Sequence, residues 1–254
     1  MKPLFSESRV VSGLSVGTLL MAWIAISLSM GQALVPGPGA TLRALAKLCM
    51  NPGFWQALAI TCARASAALV TTVILALITG IAAGLSKRAM AFLAPMVTLC
   101  QSTPPILWIT LLMVWVGSGS TVPFIVVTAA LYPPLFAVVA QSTAHLPAEY
   151  FSMCRVHRIA PTAILRRVIL PGIFPGFLGG FSFALGSCWK TAAVAEFFGS
   201  ATGMGAQIYW AYRMLEMETL FAWALTLVGL GILLEVGVIT PLKKQALHMI
   251  RKTP

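Results

Sequence analysis

The sequence predicts an all-α, polytopic membrane protein with six transmembrane helices, and three observations carry that prediction. Of its 254 residues 59% are apolar and 9% charged, with a mean hydropathy of +0.91, whereas soluble domains carry about 25% charged residues. The charges sit in short runs, separated by charge-free gaps long enough for helices of about 20 residues. Finally, Lys and Arg concentrate at one end of those gaps, which is how membrane topology is written in a sequence. The formal net charge of +11 therefore reads as orientation, and not as a nucleic-acid surface. Six spans with short loops leave residues 1–254 as a single membrane domain.

The spans follow from the gaps, because an ionised side chain in hydrocarbon costs about 3 kcal/mol or more. Span one is expected at Leu14 to Gly31, ending at the turn-forming Val35-Pro36-Gly37-Pro38-Gly39. The alternative, a cleaved signal peptide, has an apolar core of only about 7–15 residues. Span two runs from Gln56 to Gly84, interrupted only by Arg64, and stops at Ser86-Lys87-Arg88. No Lys, Arg, Asp or Glu occurs from Ala89 to Ala148, enough for two helices. Span three is placed at Phe92 to Val116 and span four at Val122 to Ala140, with Gly117-Ser118-Gly119-Ser120 as the turn. Pro104-Pro105 and Pro133-Pro134 fall inside these two spans and predict bends, since proline removes a backbone bond. Span five is expected at Val168 to Trp189 and span six at Thr219 to Thr240.

With six spans both termini share a side. Twelve basic residues then fall on that face: Lys2, Arg9, Lys87, Arg88, Arg155, Arg158, Arg166, Arg167, Lys243, Lys244, Arg251 and Lys252. Arg43, Lys47, Lys190 and Arg213 fall on the other. The positive-inside bias places both termini in the cytoplasm.

The acids are Glu7, Glu149, Glu196, Glu216, Glu218 and Glu235, with no Asp. Carboxylate metal cages and paired-carboxylate catalysis are poorly supplied, so neither a metal site nor a membrane enzyme is expected. Five single cysteines, none in CxxC spacing, read as small buried apolar residues. No GxxxxGK[ST] phosphate loop occurs, so any ATP is expected on another polypeptide.

Between spans four and five, Leu146 to Arg158 begins like a helix, with Pro147 suited to a first helical position and Glu149 to the first turn. A second short helix is expected from Pro161, carrying Arg166 and Arg167 beside Ile164, Leu165 and Val168. Together, over about 146–168, they predict a helical hairpin on the cytoplasmic face. It reads either as an amphipathic loop touching lipid phosphates or as a docking element.

At this loop the sequence resembles the permease subunits of binding-protein-dependent ABC importers, of the sulfonate, taurine and nitrate branch. Arg166-Arg167-Val168-Ile169-Leu170-Pro171 matches the basic pair and Leu-Pro of the family loop. Ser152-Met153-Cys154 stands where Glu-Ala-Ala is usual, and Arg158 where a turn-forming Gly is usual. Arg64 with Gly80 and Gly84, Ser102-Thr103-Pro104-Pro105, Trp115-Val116-Gly117, Val194-Ala195-Glu196 and Gly203-Met204-Gly205 are similar in order and spacing. The likeness extends from Gln56 to Leu242.

The resemblance implies a permease in the bacterial inner membrane, with a second permease copy, an extracytoplasmic solute-binding protein and a cytoplasmic ATPase dimer that binds the ATP. It implies coupling through Glu149, Ser152, Met153, Cys154, Arg155, Arg158, Arg166 and Arg167, and a small anion or vitamin precursor as solute. A secondary transporter or channel is the alternative. It fits less well, because such carriers commonly use several buried acids and show internal repeats.

For the solute pathway the candidates are Arg64, Lys190 and Glu196. Arg64 is too deep in span two to snorkel and reads either as paired inside the bundle or as facing an anionic solute. Lys190 and Glu196 are expected to flank the outer end of span five, as an ion-paired loop or as part of a Gly/Ala/Ser-rich segment folded back into the bundle. Glu235 reads as a structural ion pair or a snorkelling residue. The three histidines, His145, His157 and His248, read as loop or tail residues, and Trp55, Trp189 and Trp210 suit the membrane interface.

Overall fold

The structure is a computed structural model that describes residues 4–241 and 244; Lys2, Lys243, His248, Arg251 and Lys252 lie outside the described residues. Among those described there are helices and turns throughout: α1 (Leu4–Met30), α2 (Pro38–Cys49), α3 (Pro52–Leu85), α4 (Lys87–Ser102), α5 (Pro105–Val116), α6 (Thr121–Ala144), α7 (Ala148–Val156), α8 (Pro161–Ile164), α9 (Leu170–Gly199), α10 (Met204–Arg213) and α11 (Met217–Leu234). Two π-helical turns, Leu165–Ile169 and Glu235–Ile239, lead into α9 and extend α11. Five helices are long and apolar enough to cross a membrane, and the count is six when the bent pair α4 plus α5 is taken as one broken span.

The boundaries follow local chemistry. Asn51 caps α3 by accepting from the Gly53 N–H at 2.9 Å, and Pro52 opens the helix where no N–H is needed. Ser86 ends α3 and caps α4 through the Ala89 N–H. Span three is not one straight helix: α4 and α5 meet at 95°. Each residue before a proline is pushed to extended backbone, and Thr103 and Pro104 take ψ of 121° and 139° before Pro104 and Pro105.

The same pair at Pro133-Pro134 does not break α6. Pro104 and Pro105 are exposed and unsupported. Pro133 is buried among Leu131, Leu135 and Phe136 in the helix that packs between α3 and α9, and that packing holds the helix together.

The core is small-residue packing around α6. Ala65, Ala68 and Leu69 of α3 meet Val127 and Leu131 of α6 and Ala184, Cys188 and Ala192 of α9. Gly80 lies against Val139 and Gly84 against Thr143, so the four-residue glycine spacing lets the α3 and α6 backbones approach as apolar bulk would not. Buried Thr72, Thr143 and Ser182 return their hydroxyls to the carbonyl four residues back, which satisfies them without water. α1 stands apart, tethered where the Trp23 Nε1 donates to the Pro36 carbonyl and the Ser27 hydroxyl to that of Val35.

Two short helices lie outside these crossings. α2 and α10 pack at the end of the bundle away from the α7–α8 hairpin, where Leu45 and Leu48 join Phe54, Met204 and Trp223. Span five also runs further than expected. α9 continues to Gly199, which places Lys190 inside the helix and Glu196 in its last turn, not in a loop after it. Trp189 is buried in the core at 7% exposure, against the interfacial position expected for it, while Trp55 and Trp210 are exposed.

Candidate functional site

Two residues separated by 132 positions meet at the end of the bundle opposite the hairpin. The Arg64 Nη1 donates to Glu196 Oε1 at 2.8 Å, and Glu196 is fully buried. The remaining donors of the guanidinium are also used: Nη1 to the Thr202 carbonyl, and Nη2 to the hydroxyls of Ser120 and Thr202, each at 2.7 Å. The second carboxylate oxygen accepts from the Thr61 hydroxyl at 2.6 Å and the Gly205 N–H at 3.2 Å, and the Met204 N–H donates to the Thr61 oxygen at 2.8 Å. One network thus ties α3, the α5–α6 turn, the end of α9 and the start of α10. Both charges are paired and their hydrogen bonds made, which is the condition under which buried ions persist.

The glycines of the fold-back serve this network. Gly203 has a φ of +104° and lies against the Glu196 carboxylate, while Gly205 lies against the Ala193 carbonyl. A side chain at either position would collide with backbone or with the buried acid. Gly205→Ala is expected to destabilise the fold by about 1–3 kcal/mol, as overpacking does. A thermal midpoint in detergent equal to that of the unsubstituted protein would contradict this close packing.

Lys190 is not part of this network. It is six residues from Glu196, about 120° away around the helix, and so faces elsewhere. Its Nζ lies 5.7 Å from the centre of the Trp189 ring. It opens on a cleft of about 620 Å³ between α9 and α11, also lined by Ser187, Phe183, Gly231 and Glu235.

At the other end, α6 turns into the hairpin. Pro147 is the capping residue of α7, one position before its first turn. The hairpin is anchored by Leu146, Phe151 and Ile164, which pack on Val139, Ile169 and Ile173. Glu149, Ser152, Met153, Arg155, Arg158, Arg166 and Arg167 are exposed, with Met153 at 63%. Cys154 is buried at 6% exposure, on the floor of a groove of about 480 Å³ beside Tyr150, His157 and Arg167. Met153 next to it points outward instead, since neighbouring positions on a helix point about 100° apart.

Arg158 takes the left-handed conformation, with φ of +50°. The Ile159 N–H donates to the Cys154 carbonyl at 2.9 Å and the Arg158 N–H to that of Arg155 at 3.1 Å, the six-to-one bonding of a helix C-terminus that usually places glycine here. The turn keeps its shape although glycine is absent. Arg158→Gly is expected to stabilise the protein by about 1 kcal/mol, the cost of a left-handed non-glycine residue. A lowered thermal midpoint would contradict that reading.

Of the sequence candidates, the structure brings Arg64 and Glu196 together, separates Lys190 from both, and gathers the hairpin residues at the far end. The network partners Thr61, Ser120 and Thr202 were not singled out in the sequence. Arg64 is the only basic residue in the second span and acids number six, so scarcity restricted its carboxylate partner but did not name it.

The described helices thus form a bundle of five or six apolar crossings, with a helical hairpin between α6 and α9. Residues 72–240 match the family described as "Binding-protein-dependent transport system inner membrane component", and the chain belongs to that family. It is similar to the taurine transport system permease protein TauC of Escherichia coli (strain K12), 28% identical over 91% of this chain and 87% of the relative. It is also similar to the putative aliphatic sulfonates transport permease protein SsuC of Bacillus subtilis (strain 168), 26% identical over 74% and 68%. The bicarbonate transport system permease protein CmpB of Synechococcus elongatus is 24% identical over 72% and 66%. Among solved structures, a chain of the MetNI methionine ABC transporter in an inward-facing conformation shares the fold, with a TM-score of 0.56 and 19% identity, over 75% of this chain and 94% of that one. The chain is therefore a multi-pass permease component of an ABC importer.

Proposed function

We propose that this chain forms half of the solute pathway of its importer and is driven through the α7–α8 hairpin. A second permease copy completes the membrane unit. Two cytoplasmic ATPase subunits, which bind the ATP, grip the hairpins, and an extracytoplasmic solute-binding protein docks at the opposite end. The positive-inside bias sets the hairpin, Lys87, Arg88 and both termini in the cytoplasm. The names of the taurine, aliphatic-sulfonate and bicarbonate relatives support a small anion such as a sulfonate or bicarbonate as solute.

The observation that carries this reading is the hairpin itself. It projects Met153, Arg155, Arg166 and Arg167 away from the core while its apolar side is fixed to α6 and α9. A lever needs that combination of a rigid root and an exposed grip. Arg64 and Glu196 act as a brace for the outer end of the bundle, because their polar groups are consumed by the protein. Met153→Cys in native membranes is expected to cross-link to the ATPase subunit with a short thiol-to-amine reagent. Cross-linking only to lipid-facing quenchers, with the ATPase present in the same membranes, would contradict docking through this loop.

A further inference from the structure

We propose that Lys190 is the anion-recognising group of a solute subsite in the cleft between α9 and α11, one that takes small monoanions: a sulfonate, a carboxylate or an inorganic oxyanion. This assignment rests on the importer reading and adds to it a residue and a place.

The position of the charge is the first argument. Lys190 lies nine residues before Gly199, the end of α9, or about 14 Å inside the helix at 1.5 Å per residue. Its side chain is exposed on the wall of the cleft, and an ammonium within an apolar span is tolerated where it is paired or lines a wet cavity. Among the described residues the ion pair within 4 Å is Arg64–Glu196, so no described carboxylate neutralises Lys190 at that range.

The cavity is the second argument. Its volume of about 620 Å³ lies within the range of small-molecule sites, about 300–1,000 Å³. Glycines shape its walls. Gly179 faces open space, whereas Gly231 lets α11 pack tightly on the Trp189 ring, where a Cβ would come within 2.5 Å, and so closes the cleft on that side. The lining is mainly apolar, with Lys190 toward the outer end and the Ser187 position one turn of α9 away.

The chemistry is the third. The Trp189 ring sits under the ammonium at 5.7 Å, a cation–π arrangement that holds the charge without neutralising it. An anion entering the cleft meets the positive field of Lys190 on its wall. Glu235 lines the same cleft, so the wall carries one basic and one acidic side chain.

Charge-selective labelling tests the assignment without relying on uptake. In membranes containing the whole transporter, with the five native cysteines replaced by alanine, Ser187→Cys is treated with an anionic and a cationic methanethiosulfonate of similar size. The anionic reagent is expected to react faster by about tenfold, from the field of one nearby charge, and Lys190→Gln is expected to abolish that preference while Lys190→Arg keeps it. Gly179→Cys serves as the reporter if Ser187→Cys does not accumulate in the membrane. Equal rates for the two reagents, an anionic preference that survives in Lys190→Gln, or a thiol reached by neither would each overturn the proposal. Co-purification of the ATPase with the same Lys190 variants is followed in parallel. Its absence from the unsubstituted chain would sink the importer reading, and the labelling ratio would still judge the cleft.

Discussion

Glu196→Ala is expected to destabilise the protein by about 3–5 kcal/mol, the cost of leaving one member of a buried ion pair without its partner. The side chain is fully buried, and its loss strands the Arg64 guanidinium, the Thr61 hydroxyl and the Gly205 N–H together. The expected readout is low membrane abundance and a depressed thermal midpoint in detergent. Arg64→Met combined with Glu196→Leu is expected to recover much of the loss, because removing both charges also removes their desolvation cost. Such recovery separates a brace from a binding group. A Glu196→Ala protein with an unchanged midpoint but no uptake would contradict the brace and return the pair to the solute pathway.

The second large effect is expected at the opposite end. Arg166→Glu with Arg167→Glu reverses two exposed charges on the π-turn that joins the hairpin to α9. Membrane abundance and thermal midpoint are expected to remain, since surface charge changes are usually within about 0.5 kcal/mol. ATP-driven uptake is expected to fall by at least about tenfold, the factor that a lost contact of about 1.4 kcal/mol produces. Met153→Pro adds an independent check. It removes a donor inside α7, at about 3 kcal/mol or more for that helix, and so softens the lever without touching the arginines. Full uptake in both variants would contradict coupling through the hairpin.

The crossings were legible because charge is expensive in hydrocarbon, and the gaps between Arg9, Arg43, Lys87 and Glu149 mark them directly. The hairpin was legible for a different reason: Pro147, Glu149 and Pro161 are start signals that act locally. What depended on packing was not legible. Pro104-Pro105 and Pro133-Pro134 look alike in sequence, and only the burial of Pro133 between α3 and α9 separates a break from a continuous helix. The end of α9 was missed because Lys190 and the small residues after it resemble a loop when read by charge and composition. The partnership of Arg64 with Glu196 spans 132 positions, and no local pattern encodes it. Arg158 shows the reverse case, where an unsuitable residue keeps the turn that glycine usually makes.

The central claim is that this permease works as a subunit of an ATP-driven assembly, and stoichiometry tests it most directly. The tagged chain, purified in mild detergent from its native membrane, is expected to bring an ATPase subunit at one copy per permease chain, with two of each in the particle. A permease oligomer that reproducibly carries no ATPase in several detergents would contradict the account and leave the hairpin as a lipid-facing loop.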